Sequence, residues 1–297
     1  AEQLFVSQPA VSAAVAALQR ELEVPLVTRV GRGLQLTPSG RVFARYARQV
    51  LGLLEEARAA AAAGHPHPER GRVRLAAVTT AGEHVLPRFL ASFRAQYPHA
   101  ELSLEVGNRT RVWDLLDHRE VDLVIGGRPP GNDRFVTLAT RPNVLVLVAR
   151  AGQAPPSETG KTVSLETLRK QVLLLREPGS GTRSTAEEIL EDLGLSLPTL
   201  TLGSNGAIRE SVQVGLGITL ISRDAVGREL DAGSLEEWRC PPIPLRRAWH
   251  MVARAGDELA PTAQLLLAHV AASSPGDDGD RFRLVGPRPF PDRAPPG

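Results

Sequence analysis

The sequence has little cysteine, lysine or aromatic content, and it has no long apolar run. Cys240 is the single cysteine, so no intrachain disulfide can form. That suits a reducing compartment. Cys240 stands before Pro241 and Pro242 and reads as structural. Aromatics make up 4%, so the cores must be built from Ala, Val, Leu and Ile. The longest apolar runs are strand-length, too short for a membrane-crossing helix. Catalytic signatures are also missing. There is no HExxH and no GxSxG. EPGSGTR at 177–183 lacks the lysine and spacing of a P-loop, and Gly215-Leu-Gly217 lacks the third glycine of a dinucleotide fingerprint and precedes a strand. The seven histidines show no metal-ligand spacing. Neither an enzyme nor a bound cofactor is expected. The chain does not open on methionine, and AEQLF at 1–5 reads as the middle of a helix, so a truncated N-terminus is expected.

What is present fits a globular protein of two or three domains. The chain has 297 residues, 42% hydrophobic and 23% charged. Its formal net charge is only +2, which by itself does not argue for a polyanionic partner. The basic residues are almost all arginine: only Lys161 and Lys170 are lysines.

The first forty residues pattern as helix, turn, helix and short ribbon. Ser7 is a good N-cap, and Pro9 is tolerated in a first turn. Val11, Val15, Leu18 and Leu22 then recur at helical spacing and would face a core. Gln8, Ser12 and Gln19 fall on the other side, where short polar side chains could meet base edges or phosphates. Residues 24–36 hold Gly31 and Gly33 for a tight reversal, with Arg29 and Arg32 able to reach phosphates or a minor groove. Thr37 and Pro38 start the next helix. This is the layout of a winged helix-turn-helix. A small helical subdomain with a solvated polar face would show the same pattern.

From Arg41 a long helix is expected to about residue 63. Phe43, Ala47, Val50, Leu54 and Ala57 are spaced by 4, 3, 4 and 3, an a/d seam for pairing two helices; packing on its own domain is the alternative. Arg41, Arg45 and Arg48 flank the seam. GHPHPERG at 64–71 breaks the helix. His65 and His67 there read as a solvated hinge.

Strands and helices alternate after the hinge. Strands are expected at 73–78, 102–106, 121–125, 145–148, 172–175, 199–202, 218–221 and 252–253. Helices are expected at 81–96, 109–117, 182–193, 205–214 and 261–271. That order predicts βαβ units, a mostly parallel sheet, and ligands at strand C-terminal ends. Three such ends carry hydroxyls at a helix start. Thr79 and Thr80 open TTAGE, which also matches a capping box with Glu83. Glu177, Ser180, Gly181, Thr182 and Arg183 come from EPGSGTR, and Ser204 and Asn205 from GSNGAIRE. Convergence of the three would create an anion site, with Arg128 of GRPP adding charge-assisted bonds. Plain capping is the alternative for each. The tail, 274–297, is rich in Pro, Gly, Asp and Arg and is expected to be mostly disordered, with local docking through Phe282, Leu284, Val285 and Phe290.

The stretch AEQLFVSQPAVSAAVAALQRELEVPLVTRVGRGLQLTPSG resembles the DNA-binding domain of LysR-type transcriptional regulators. VGNRTRVWDLLDHREVDLVIGGRPP, LREPGSGTR and GSNGAIRESVQVGLGITLIS are similar to that family's effector domain. GRPP together with EPGSGTR is similar to the branch that controls RuBisCO operons. The resemblance implies a winged helix-turn-helix over 1–40, a linker and dimerisation helix with hinge over 41–70, and an α/β effector domain like periplasmic binding proteins over 71–273. Its lobe I would span 71–150 and 252–273, and its lobe II 151–251. Gln8, Pro9 and Ser12 would lie in the recognition helix and Arg32 in the wing. Ala13 and Ala14 stand where many members carry long basic or amide side chains, so shape and phosphate contacts would carry more of the binding. Ser7, Gln19, Arg29 and Thr37 complete the expected DNA-facing set. The implied effector is a sugar phosphate, a phosphorylated acid or NADPH. Expected partners are double-stranded promoter DNA, further copies of the chain as dimer and tetramer, and RNA polymerase; the expected location is the cytoplasm, with no membrane. The rival readings are a family member sensing another anion in sulfur, nitrogen or aromatic metabolism, and a two-lobed solute-binding protein.

Overall fold

A computed structural model describes residues 7–31, 33–44, 46–47, 50–51, 54, 68–155, 162–272 and 281–286. Two compact units make up the chain, one built on Ala1–Gly64 and the other on His65–Asp117 and Val121–Gly297.

In the first unit, α1 (Gln8–Leu22) begins where the Ser7 hydroxyl accepts the Ala10 N–H, with Pro9 in the first turn, and it ends at Glu23 in the left-handed region. Val11, Val15, Leu18 and Gln19 are its partly covered residues. β1 (Val27–Val30) and β2 (Gly33–Leu36) form an antiparallel hairpin with Val30 opposite Gly33. Gly31, at φ 60 in the turn, adopts without strain a conformation that a side chain would resist. Helix α2 covers 38–44, and Tyr46, Ala47, Val50, Leu51 and Leu54 are also helical. Ala57, Arg45, Arg48, His65 and His67 lie outside the described residues.

The start of α2 is pinned to the chain before the hairpin. Thr37 donates its N–H to the Leu26 carbonyl at 3.0 Å. A Cβ on Gly40 would fall inside van der Waals contact with that same carbonyl. Gly40→Ala is therefore expected to cost about 2 kcal/mol through forced backbone movement. It should lower DNA affinity and leave ligand binding by the second unit unchanged. A gel shift and a ligand titration on the same variant check this, and a joint loss would contradict it.

The second unit has two lobes. Lobe I carries β3 (Arg72–Val78), a π-helical turn (Ala81–Val85), α3 (Leu86–Gln96), β4 (Glu101–Gly107), α4 (Arg109–Asp117) and β5 (Leu123–Gly126). β3 pairs in parallel with β4 and β5. β6 (Phe135–Arg150) then runs out of lobe I and into lobe II. Lobe II holds α5 (Leu165–Arg169), β7 (Leu173–Leu175), α6 (Gly181–Asp192), β8 (Thr199–Thr201), α7 (Asn205–Gln213), β9 (Thr219–Ser222), α8 (Arg223–Asp231) and β10 (Leu235–Trp238). β11 (Leu245–Arg254) returns antiparallel to β6 and β5, and α9 (Pro261–Ala272) closes lobe I. The large sheet is mixed rather than mostly parallel: β6 makes only antiparallel pairs, with β9, β10, β11 and β12 (Arg283–Leu284). β6 and β11 are long because they serve both lobes.

Each lobe has its own core. In lobe I, Val73, Leu75, Phe89, Phe93, Leu123 and Ile125 pack with Met251, Leu266 and Leu267. In lobe II, Leu147, Leu173, Ile218 and Trp238 pack on one side of the sheet, and Val146, Leu174, Ile208 and Val226 on the other. Where the strands cross between lobes, Arg141 is buried. It donates to both carboxylate oxygens of Asp224 at 3.0 Å, and Trp249 Nε1 donates to the same carboxylate at 2.7 Å. Both crossing strands are thereby tied to the start of α8.

The tail docks at 281–286, on residues that the sequence offered for local docking. Phe282 is fully buried in the lobe I core and meets Phe89 edge-on at 5.5 Å, while Arg283 and Leu284 pair with Thr140 and Ala139 of β6. An aromatic side chain with a core to enter outweighs the polar composition around it. Phe290 lies outside the described residues.

Candidate functional site

The first unit presents α1 and the hairpin. Ser7, Gln8, Pro9, Ser12 and Arg29 are exposed, and Arg32 is outside the described residues. Two expected DNA-facing side chains are occupied within the unit. Gln19 Oε1 accepts the backbone N–H of Leu26 at 2.7 Å and of Val27 at 3.0 Å. Thr37 Oγ1 donates to Pro25 O at 2.6 Å and accepts the Gly40 N–H at 2.9 Å. Both hold the ends of the hairpin, which satisfies backbone groups that would otherwise be open.

In the second unit a cleft of about 630 Å³ lies between the lobes. Lobe I contributes Thr79 and Thr80, at the end of β3, and Asn108, Arg109 and Arg128, which follow β4 and β5. Lobe II contributes Arg176 and Glu177, at the end of β7, and Ser180, Gly181 and Thr182, at the start of α6. The crossing strand β11 adds Arg247 and His250. Four arginines face two glutamates, Glu177 and Glu188, so the lining is cationic.

Arg176 organises this cleft, and the sequence patterns did not single it out. It is buried to 7% exposure. Its Nη1 donates to Asn205 Oδ1 at 2.6 Å, its Nη2 to Thr79 Oγ1 at 3.3 Å, and its Nε and Nη2 to the Glu177 carboxylate at 2.7 and 2.9 Å. Asn205 in turn donates to Thr80 Oγ1 at 2.9 Å. The two residues thus stitch lobe II to lobe I at the edge of the cleft. Burial alone would raise the Glu177 carboxyl; the hydrogen bond from Arg176, a backbone hydrogen bond and the guanidinium charge outweigh it and hold the group below its ordinary value. The clue available in the sequence was position: Arg176 directly follows the apolar run 172–175, at a strand's carboxyl end.

The start of α6 brings further donors to the cleft. Ser180 is buried at the N-cap with no side-chain cap bond, so its hydroxyl and the first-turn N–H groups are open. Arg183 takes a different place from the expected one. It does not line the cleft: it bonds Glu187 at 2.7 Å, the Arg176 carbonyl at 3.0 Å and Thr201 at 3.2 Å. Ser204 is a plain cap, accepting the Ala207 N–H at 3.1 Å outside the lining. Asn205 acts from behind Arg176. Thr80 caps nothing; it lies in helical conformation, and its hydroxyl meets Asn205 rather than a backbone N–H.

A helix and hairpin of helix-turn-helix type, followed by a two-lobed domain with a cationic cleft, define a DNA-binding regulator that responds to a ligand. Comparison with known proteins identifies the family. Residues 1–41 match the bacterial regulatory helix-turn-helix proteins of the lysR family, and residues 66–274 match the LysR substrate binding domain. The chain belongs to the LysR family of transcriptional regulators. The transcriptional regulator CbbR of Rhodospirillum rubrum is 33% identical over 276 residues, 92% of this chain and 90% of that protein. The RuBisCO operon transcriptional regulator of Acidithiobacillus ferrooxidans is 34% identical over 281 residues, 94% of this chain and 90% of that one. Full-length OxyR of Pseudomonas aeruginosa shares the fold at a TM-score of 0.70 and 23% identity, covering 92% of this chain and 89% of that one. The regulatory domain of CcmR from Synechocystis, solved in complex with 2-PG, gives a TM-score of 0.60 at 30% identity, covering 67% of this chain and 96% of that one. Among the described residues no helix is long and apolar enough to cross a membrane, and no three metal-ligating side chains cluster.

Proposed function

We propose that this LysR-type regulator controls carbon-fixation genes and that a small phosphorylated acid in the interlobe cleft sets its DNA binding. The observation that carries this reading is buried Arg176, set beside the open first turn of α6 in a cleft lined by more arginines than carboxylates. A phosphate fits there as an acceptor of charge-assisted and backbone bonds. The relatives named for RuBisCO operons, and 2-phosphoglycolate in the CcmR domain, support the same class of effector.

Residues 1–40 act as the DNA reader, 41–70 as linker and 71–273 as effector domain. Gln8, Pro9, Ser12, Arg29 and Arg32 meet promoter DNA. Val50 and Leu54, both helical and exposed, pair with a second copy, and two dimers assemble into a tetramer that works with RNA polymerase in the cytoplasm. Catalysis has no part in this. Effector binding biases the gap between the lobes, because Arg176 and Asn205 hold contacts on both sides.

A thermal-shift titration of the full chain tests the effector class. Ligand that binds only the folded state raises its stability by mass action. 2-Phosphoglycolate, 3-phosphoglycerate, phosphoenolpyruvate, ribulose bisphosphate or NADPH is expected to raise Tm. A rise only with sulfate, O-acetylserine or muconate would overturn the effector class and leave the family in place.

A further inference from the structure

His250 is a titratable group in the wall of the cleft to which nothing above gives a task. It sits on β11, half-buried, opposite Thr140 of β6 and Gly126 of β5. Its Nδ1 lies 3.4 Å from Thr137 Oγ1 on β6, which gives the ring one neutral neighbour. The charged group that acts on it is cationic, Arg128 in the turn after β5; Arg109 at the start of α4 and Arg247 on β11 also line the cleft. The carboxylates in the lining, Glu177 and Glu188, belong to lobe II. Burial, and then the charge of Arg128, push the His250 pKa down, so the ring is neutral near pH 7 with the cleft empty.

An anion in the cleft changes that balance. It offsets the Arg128 field and gives a protonated imidazole an acceptor. We propose that His250 reads the charge of the effector: binding of a phosphorylated acid draws a proton onto its ring, so the cleft holds the effector more tightly as pH falls. This rests on the cleft being the effector site. The direction follows from linkage: the complex holds more protons than the free chain, so affinity rises toward acid, by at most about tenfold per pH unit. A cleft of this kind separates phosphorylated acids from neutral sugars more sharply than fixed arginines alone, because its own charge grows only when an anion arrives.

The test is calorimetry of the full chain with 2-phosphoglycolate at pH 6.5 and 7.5, in buffers of different ionisation enthalpy, for the wild type and His250→Gln. Glutamine keeps a polar partner for Thr137 and does not titrate. The ligand's own phosphate ionisation, near pH 6, is common to both proteins and cancels in their difference. The wild type is expected to take up more protons than the variant, and to gain about threefold more affinity than the variant between pH 7.5 and 6.5. Equal proton uptake by both proteins would overturn the proposal and point to another group, such as His84 in the π-helical turn, which lies near Asp224 and Glu229 of α8. Binding by the wild type with no pH-dependent difference from the variant would also overturn it, with the effector site intact. No binding of any phosphorylated acid to either protein would overturn the effector site and this proposal together.

Discussion

Arg176→Ala is expected to weaken a phosphorylated effector by about a hundredfold, roughly 2.7 kcal/mol, while DNA binding without effector is retained. The guanidinium is buried and already oriented by Asn205, Thr79 and Glu177, so an incoming anion meets a donor that needs no ordering. Its removal deletes a charge-assisted bond and leaves the Asn205 carbonyl oxygen short of a donor. Arg176→Lys keeps the charge without the planar fork and should recover only part of the affinity. Arg183→Ala is the informative contrast. That guanidinium is turned away to Glu187 and Thr201, so its loss should change effector affinity by no more than about threefold. Titration of the three variants, with a gel shift at zero effector, checks the ranking. A larger loss in Arg183→Ala than in Arg176→Ala would contradict this account of the site.

Phe282→Ala is expected to cost about 4 kcal/mol, the usual scale for emptying a buried phenylalanine site. Thermal unfolding should fall by about 8 to 15 °C for an effector domain of this size. Phe282 is fully buried against Phe89, and the strand that follows it, β12, pairs with β6 next to the Arg141 crossing. Removing residues 281–297 should give a loss of similar size. Scanning calorimetry of the variant and of the truncated chain decides it. An unchanged Tm in both would mean that the tail contributes nothing to lobe I.

Much of this architecture was legible because its central strands are largely apolar, broken only by the paired Arg74 and Asp122. Residues 73–78 and 121–125 could be read as strands, and the helices between them as amphipathic, since both periodicities are strong there. The crossing strands were legible only in part. β6 begins at Phe135, yet Arg141, Pro142 and Asn143 interrupt its apolar pattern. These residues are polar because they lie where the chain passes between lobes, and Arg141 meets Asp224 while Asn143 meets Ser222. α8 buries only Ala225 and Val226, too small a stripe to register as a helix.

The site shows the same limit. Three hydroxyl-bearing βα turns looked alike in the sequence. In the structure one opens α6 toward the cleft, one supplies the Thr79 and Thr80 hydroxyls to a network, and one caps α7 with Ser204 while its Asn205 joins that network. Which of Arg176 and Arg183 faces the ligand depends on the direction each side chain leaves its element. Arg183 sits in the first turn of α6, where Glu187 lies one turn on and captures it. Gln19 and Thr37 were polar residues on plausible faces, and backbone groups of the hairpin had the prior claim on them.

If the effector sets DNA binding, cleft and DNA reader share one equilibrium. The most direct measurement is the affinity of the full chain for 2-phosphoglycolate with and without DNA that the chain itself has selected from a random pool, alongside its affinity for that DNA with and without 2-phosphoglycolate. Linkage requires the two ratios to be equal. A matched factor of about five or more is expected, abolished by Arg176→Ala. Ligand that binds with the same affinity whether or not DNA is present would contradict it.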